Sequence, residues 1–165
     1  MNEKKALIKW LNGYEWNVFG TLNFKYQMNE TAAENALKYF WNRVDRYYFG
    51  NKSHRNNIRA KRMCFLQKGY SNQNSHFHFV AITPKNETDI NFIKTLKRIW
   101  QYEVKESGYF SEFETIEIKE AVTNYLTHEY YKLGSDTLNT TTAHLKANKN
   151  NGAMLNYSFF LKLIN

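Results

Sequence analysis

Hydrophobic and polar residues alternate along the chain with two periods, one typical of helices and one of strands. Hydrophobic residues spaced three or four apart predict helices over 3–14, 31–48, 88–100 and 120–133. Alternation at every second residue predicts strands over 16–24, 62–67, 76–82 and 113–118. The order β-α-β-β-α-β-α indicates the α+β class. Such a fold has a central, mainly antiparallel sheet, with helices on one face and room for an active site on the other.

The predicted elements fit one domain. A chain of 165 residues is long enough for a real hydrophobic core, and the elements place the domain over residues 1–133, including the N-terminal helix. From Gly134 to Gly152 the composition turns to Thr, Asn, Lys and Ser, which predicts a mobile segment. Residues 154–164 are apolar again. We therefore expect 134–165 to be a flexible segment followed by an element that docks back on the domain.

The strand predicted over 76–82 carries two histidines on one face. His76 and His78 point to the same side, while Phe77 and Phe79 face the opposite side and a core. Imidazole is the commonest protein metal ligand, and a strand keeps an i, i+2 pair close enough to share one ion. Taken alone, the pattern is more often that of two hydrogen-bonded surface histidines. Gln67 should pair with His76 across a hairpin, either as a third ligand or as an ordinary polar strand-end residue.

The helix predicted over 120–133 places four polar side chains on one stripe. Tyr125, His128, Glu129 and Lys132 occupy positions i, i+3, i+4 and i+7. A phenol, an imidazole, a carboxylate and an ammonium group would thus share one helix face. By itself this pattern also describes a solvated polar face with Tyr125 at the margin of the core.

Basic residues outnumber acidic ones, 23 against 15, and the excess is concentrated in one block. No Asp or Glu occurs between Arg46 and Asn86. Such a block indicates a polyanionic partner, although a solvated basic loop without a function would look the same. The basic candidates for contact with this partner are Arg55, Arg59, Lys61, Arg62 and Lys68. Tyr70 adds an aromatic ring that could stack on bases.

Cysteine usage and hydropathy point to a cytoplasmic protein. Cys64 is the only cysteine, so the chain has no internal disulfide framework, and a reducing compartment is expected. Because Cys64 lies in an apolar run, we expect it to be a small buried hydrophobic residue. No apolar stretch approaches the roughly 18 residues that cross a membrane, and the N-terminus does not resemble a secretion signal. We expect no membrane partner.

Three motifs, in order, resemble those of the HUH endonuclease superfamily, and within it the replication initiators (Rep proteins) of rolling-circle plasmids, phages and single-stranded DNA viruses. Residues 19–24, Phe-Gly-Thr-Leu-Asn-Phe, look like the first-strand motif of Rep proteins. His76-Phe77-His78 matches the family's His-hydrophobic-His metal motif. Residues 125–129 resemble its tyrosine motif, Tyr-x-x-Lys followed by Glu. Two positions depart from the pattern: Gln67 stands where the family usually has a carboxylate, and His128 replaces the motif lysine, with Lys132 one turn further along.

The resemblance implies an RRM-like sheet topology and an enzyme that nicks and rejoins single-stranded DNA through a 5′-phosphotyrosine. Tyr125 would be the nucleophile, and His128 or Lys132 would position the phosphate or ease deprotonation of the tyrosine. The ion would be Mn2+ or Mg2+, held by His76, His78, Gln67 and Glu129. Thr21 and Asn23, in the first motif, would contact DNA. The substrate would be a replication origin or hairpin of a plasmid or phage in a bacterial host, whose helicase and replication proteins would be borrowed.

Two other functions remain open from the sequence. A single-tyrosine transposase or relaxase would use the same chemistry on a hairpin or transfer origin. A catalytically inactive module that binds single-stranded nucleic acid would need the histidines only for contact.

Overall fold

The computed structural model describes residues 3–69 and 74–145, and its elements follow the predicted order with additions. The helices are α1 (Glu3–Asn12), α2 (Glu30–Phe49), α3 (Lys52–Arg55), α4 (Asp89–Glu103), α5 (Lys119–Leu126) and α6 (Tyr130–Leu133). The strands are β1 (Val18–Leu22), β2 (Arg62–Gln67), β3 (His76–Ala81), β4 (Glu112–Thr115) and β5 (Leu138–His144). The strands form one antiparallel sheet in the order β4-β1-β3-β2-β5, so the predicted α+β class is confirmed.

Helices α2 and α4 cover the sheet face that carries Phe77 and Phe79, as the alternation in β3 predicts. Phe79 packs against Trp41 of α2 with ring centroids 5.1 Å apart. Gly20 of β1 gives the Phe79 ring its space, because a Cβ at that position would lie 2.3 Å from the Phe79 Cε1 atom. Cys64 belongs to the same core, and burial raises the pKa of its thiol to about 11. This face is the larger hydrophobic core.

A second, smaller cluster lies on the opposite face of the sheet. Leu7 and Leu11 of α1 pack there with Leu126 of α5 and with Phe65 and Val80 of the sheet. The face that carries the histidines is therefore partly roofed by α1 and α5, whereas the sequence predicted helices on one face alone. This covering by α1 and α5 places the end of α5 next to the histidines.

Helix α2 begins two residues before the start predicted from the capping-box sequence of residues 31–34. The sequence of residues 31–34 resembles a capping box, but the N-cap is Asn29, whose side chain accepts a hydrogen bond of 2.8 Å from the Ala32 N–H. The helix ends as predicted at Gly50, where φ is +54°, a backbone conformation that favours glycine.

The prediction of a mobile segment over Gly134–Gly152 is wrong for residues 134–145, because these include strand β5, while residues 146–152 lie outside the described part of the chain. A 3-10 turn spans Gly134–Thr137, and Leu138–His144 then pairs with β2. Without β5, β2 would be an edge strand with unpaired backbone groups. The composition predicted a loop because threonine is polar, but threonine is also β-branched and therefore favours a strand. The docking element predicted over 154–164 lies outside the described residues.

None of the described helices is both long enough and apolar enough to cross a membrane.

Candidate active site

The register of the sheet brings the predicted histidines and their neighbours together. Thr21 of β1 and Phe65 of β2 flank His78 on its two sides, and Gln67 lies directly opposite His76, as the hairpin predicts. The two imidazole rings are edge to face, with centroids 4.9 Å apart. One face of three adjacent strands thus supplies the floor of the site.

His78 is buried, with 1% of its surface exposed. Its Nδ1 lies 2.9 Å from the Thr21 hydroxyl, and its ring stacks on Phe19 at a centroid distance of 5.6 Å. Burial, with smaller contributions from His76 and His128, lowers the pKa of His78 to about 3. The ring is therefore neutral at physiological pH. Its Nε2 is buried and has no hydrogen-bond partner among the described residues.

His76 presents a second ring nitrogen suited to a cation. Its Nδ1 lies 2.9 Å from the Asn74 carbonyl oxygen, which can only accept a hydrogen bond. Nδ1 therefore carries the proton and donates it to Asn74, so in the neutral ring Nε2 holds the lone pair. Metal-binding histidines usually donate their other ring N–H to a carbonyl or carboxylate in this way.

Tyr125, at the end of α5, lies against the histidines. Its ring is 50% exposed and makes an edge contact with His78, at a centroid distance of 5.0 Å. Phe19 supports the Tyr125 ring from another side, at 5.9 Å. The Tyr125 ring is thus half exposed to solvent and half packed against a neutral imidazole.

His128 stacks on Tyr125, with centroids 5.3 Å apart and an interplanar angle of 27°. Its Nδ1 lies 2.7 Å from the Tyr125 carbonyl oxygen, so Nδ1 is the protonated nitrogen. The nearby Gln67 Nε2, 3.3 Å from the same Nδ1, is then a second donor and makes no hydrogen bond to it. Gln67 Nε2 instead donates to the Leu126 carbonyl at 3.3 Å, which leaves the amide oxygen on the other arm of the group.

The predicted helix over 120–133 is broken, which corrects the idea of one continuous stripe. A turn at Thr127–Glu129 separates α5 from α6. The Thr127 hydroxyl donates to the Thr123 carbonyl at 2.9 Å, and the His128 N–H bonds to Tyr125, only three residues back. A hydroxyl that competes for helix carbonyls favours such a turn. Tyr125 and His128 stay together, whereas Lys132 lies on the separate α6 with its side chain exposed.

Glu129 is buried, and it binds protein groups that the sequence did not predict. One carboxylate oxygen accepts a 2.9 Å hydrogen bond from the Lys68 backbone N–H, and the other lies 3.8 Å from His128 Nε2. This places Glu129 as a support for His128 and for the end of β2. Among the residues that the structure describes, no three His, Cys, Asp or Glu side chains are grouped to hold an ion. A role for Glu129 as a ligand stays a prediction.

The remaining donor set still fits a divalent ion. The unpartnered, buried Nε2 of His78 and the lone pair on His76 Nε2 are two nitrogen donors on one strand face. The amide oxygen of Gln67, opposite His76, is a neutral third candidate. Two imidazoles and a neutral oxygen favour manganese over magnesium in affinity.

Arg62 was predicted to contact nucleic acid, and the structure corrects this prediction. Its side chain is 1% exposed and donates to Asp45 at 2.8 Å and to the Thr142 carbonyl at 2.8 Å. Arg62 faces α2 because it shares a strand face with Cys64, the face that packs on the larger core. The signal was in the sequence: Asp45 follows Trp41 by one helical turn, on the apolar side of α2.

Asn23 also has a structural role, since its side-chain amide donates to the Phe110 carbonyl at 2.9 Å.

Three other predicted nucleic-acid contacts also bind protein groups. Thr21 contacts His78, and Lys68 forms an ion pair with Glu30. Arg59 donates to Asn57 at 2.9 Å. Arg55 is exposed and Lys61 is half-buried, so both stay predicted nucleic-acid contacts. Tyr70 lies outside the described residues.

Phe19 belongs to the first-strand motif, but sequence reasoning predicted no role for it in the site. Its ring touches both His78 and Tyr125 and fixes their relative position. The alternation in β1, which puts Phe19 on the same face as Thr21, was the available signal.

Comparison of the chain with protein-family models, with curated proteins and with solved structures finds no significant match. Function must therefore be argued from the site.

Proposed function

We propose that this protein is a metal-dependent tyrosine nuclease of the HUH type, which nicks and rejoins single-stranded DNA. The observation that carries the proposal is the contact of the half-exposed Tyr125 ring with His78, whose buried Nε2 has no hydrogen-bond partner in the described part of the chain. The candidate nucleophile on α5 and the candidate cation-binding nitrogen on β3 thus lie side by side. A structural role for this histidine would leave a buried polar atom unpaired, at a cost of about 1–3 kcal/mol.

His76 and His78 would hold the ion, Mn2+ or Mg2+, with Gln67 as the third donor. A bound divalent ion supplies positive charge to the scissile phosphate. The hydrogen bonds to Thr21 and Asn74 orient the two rings, and the Asn74 carbonyl, which can only accept, sets the tautomer of His76. Positioning of the donors before the substrate arrives lowers the cost of reorganisation in the transition state.

Tyr125 performs the covalent step. Its hydroxyl oxygen attacks phosphorus, a new oxygen–phosphorus bond forms, and the bond to the 3′ oxygen breaks. The 3′ oxygen takes a proton from water and leaves as a hydroxyl, and the 5′ end stays on Tyr125 as a phosphotyrosine. His128 stacks on Tyr125, and in the neutral ring its Nε2 lacks the proton, so His128 would accept the tyrosine proton once the ring turns toward the hydroxyl. Glu129, 3.8 Å from this nitrogen, would stabilise the resulting imidazolium. Attack by a 3′ hydroxyl on the phosphotyrosine reverses these bond changes and rejoins the strand.

The biological setting rests on the motif resemblance alone. It favours initiation of rolling-circle replication of a plasmid or phage in a bacterial cytoplasm, with a host helicase as partner. A transposase or relaxase would share the same site chemistry.

The test is covalent capture of DNA. We expect the protein, incubated with single-stranded oligonucleotides and Mn2+, to give an adduct on a denaturing gel that EDTA abolishes. Tyr125→Phe should remove the adduct, because Tyr125 is the tyrosine whose ring contacts His78 in the described part of the chain. The oligonucleotides are best drawn from the replicon that encodes the protein.

The matched control is Tyr131→Phe, which alters a 77% exposed tyrosine on α6. This variant should form the adduct at the wild-type level. Tyr130 is a poorer candidate, because it is buried and its hydroxyl donates to Glu3 at 3.0 Å. Binding without an adduct on the protein's own replicon would favour the inactive single-strand binder, in which Gln67 has replaced a ligand carboxylate.

A further inference from the structure

The loop between α4 and β4 holds two neighbouring aromatic rings in solvent. Tyr109 is 91% exposed and Phe110 is 86% exposed, the highest values among the large hydrophobic side chains that the structure describes. Single exposed hydrophobic residues are common on protein surfaces, but two adjacent, almost fully exposed rings indicate contact with a partner.

The loop that carries these rings is anchored by hydrogen bonds to the end of β1. The Gly108 N–H donates to the Asn23 carbonyl at 2.7 Å, and the Asn23 side chain donates to the Phe110 carbonyl at 2.9 Å. The Ser111 hydroxyl accepts from the Asn23 N–H at 3.0 Å and from the Trp100 indole at 2.7 Å. The backbone beneath the rings is thus held on both sides.

Close packing fixes the loop as well. A Cβ on Gly108 would lie 2.8 Å from the Asn23 carbonyl oxygen and 2.9 Å from that of Phe24, and both are backbone atoms that cannot move aside. Only glycine allows the loop to approach β1 so closely. Because the loop is ordered beforehand, little entropy is lost when its rings bind a partner.

The rings are connected to the candidate active site by a cleft. A cavity of about 350 Å³ is lined by Phe110, Lys25, Asn74 and Ser75, among others. Asn74 accepts a hydrogen bond from His76, so the cavity extends from Phe110 to a direct neighbour of His76. A strand of nucleic acid that lies in this cavity would reach the site from the side where β1 ends and β3 begins.

We propose that Tyr109 and Phe110 form a stacking platform for the bases of a single-stranded nucleic acid that follows this cleft toward His76. This proposal deepens the proposed function, and the path of the nucleic acid toward His76 rests on it. The platform itself concerns binding and does not require cleavage. Aromatic rings stack on any base, so the platform would add affinity with little sequence preference. Lys25 and Lys105 lie near the loop, but so do Glu106 and Glu112. Because these charges balance, the loop would contribute to affinity through stacking and not through ion pairs with phosphates.

The test is equilibrium binding by fluorescence anisotropy, in EDTA so that no adduct forms. The probes are fluorescein-labelled oligo(dT) of about 20 nucleotides, longer than the roughly 4–16 nucleotides that one small single-strand-binding domain covers, and an abasic strand of the same length. We expect Tyr109→Ala combined with Phe110→Ala to weaken oligo(dT) binding roughly tenfold or more. The double variant should bind the abasic strand as the wild type does, and its salt dependence should be unchanged.

Two controls separate stacking from loss of structure. Tyr102→Ala removes an 82% exposed ring from α4, on the opposite face of the sheet, and should change affinity less than about twofold. Tyr109→Phe combined with wild-type Phe110 keeps both rings and should retain wild-type affinity. Both Ala variants should unfold at the wild-type temperature, because the exposed rings make little contribution to the core.

The outcomes distinguish this proposal from the proposed function. Equal binding of oligo(dT) by the wild type and the double variant overturns the platform and leaves the surface to a protein partner. An equal loss on the abasic strand overturns stacking as the cause. Platform-dependent binding by a wild-type protein that forms no adduct supports the platform and contradicts the nuclease.

Discussion

His78 is the residue at which burial most changes chemistry. In solution an imidazole titrates near neutrality, but here the sheet and the Phe19 ring surround it and lower its pKa to about 3. A neutral ring is the form that binds a metal ion, so the fold keeps the donor available well below neutral pH.

The lowered pKa of His78 predicts acid destabilisation. Between its folded pKa of about 3 and its ordinary value of 6.5, the unfolded chain binds more protons than the folded one. The contribution to stability is therefore full above pH 6.5 and is lost as pH falls, by about 1.4 kcal/mol for each pH unit. His78→Phe should flatten this part of the pH profile, measured by urea unfolding in EDTA between pH 7 and pH 4. Equal slopes for variant and wild type would contradict the assignment.

The buried pair of Arg62 and Asp45 predicts a loss of stability, not of DNA binding. Arg62→Met leaves the Asp45 carboxylate buried beside fewer donors, which should cost about 3–5 kcal/mol in the free energy of unfolding. Combining it with Asp45→Leu removes both charges and should recover much of that loss. Urea unfolding measures both effects. If Arg62→Met were nearly neutral in stability but weakened oligonucleotide binding, the burial of Arg62 would be wrong.

At the scale of elements, the turn between α5 and α6 decides which residues can act together. An uninterrupted helix would have put Tyr125, His128, Glu129 and Lys132 on one face. The turn at Thr127–Glu129 keeps His128 stacked on Tyr125, turns Glu129 inward to the Lys68 N–H, and leaves Lys132 on another helical segment. His128 is therefore the basic neighbour of the proposed nucleophile.

Strand β5 predicts slow hydrogen exchange in a segment whose composition resembles a loop. Amides of Leu138–His144 that bond to β2 should exchange at least about a hundredfold more slowly than in an unstructured peptide of the same sequence, since opening requires the edge strand to detach. Hydrogen exchange with mass spectrometry resolves this segment. Exchange at the peptide rate would favour the mobile segment that composition alone predicts.

At the scale of the molecule, a net charge of +8 predicts salt-sensitive binding to nucleic acid. Arg55 is exposed on α3, and Arg55→Ala should reduce the slope of log K against log salt by about 0.7 if the arginine meets one phosphate of a single strand. Arg43→Ala is the matched control, because Arg43 pairs with Glu103 at 2.6 Å beside α4, on the face away from the histidines. An unchanged slope in Arg55→Ala would remove Arg55 from the set of phosphate contacts.

The sequence by itself determined the α+β class, the β2–β3 hairpin with Gln67 opposite His76, and the burial of Phe77, Phe79 and Cys64. These features follow from local periodicity, because a strand alternates its faces and a hairpin pairs residues that are close in the chain. The sequence also singled out Tyr125 and the two histidines as partners in one site, through the order of their motifs.

Only the tertiary structure decided which polar groups face each other. In the structure, Arg62 is buried against Asp45, and the Asn23 amide binds the loop that carries Tyr109 and Phe110. Glu129 accepts a hydrogen bond from the Lys68 N–H, and β5 pairs with β2. Each of these contacts joins residues distant in the chain, and a basic or amide side chain looks the same in sequence whether it meets water, DNA or a buried carboxylate. Local periodicity fixes which face a residue takes, whereas the partner on that face is set by packing between elements.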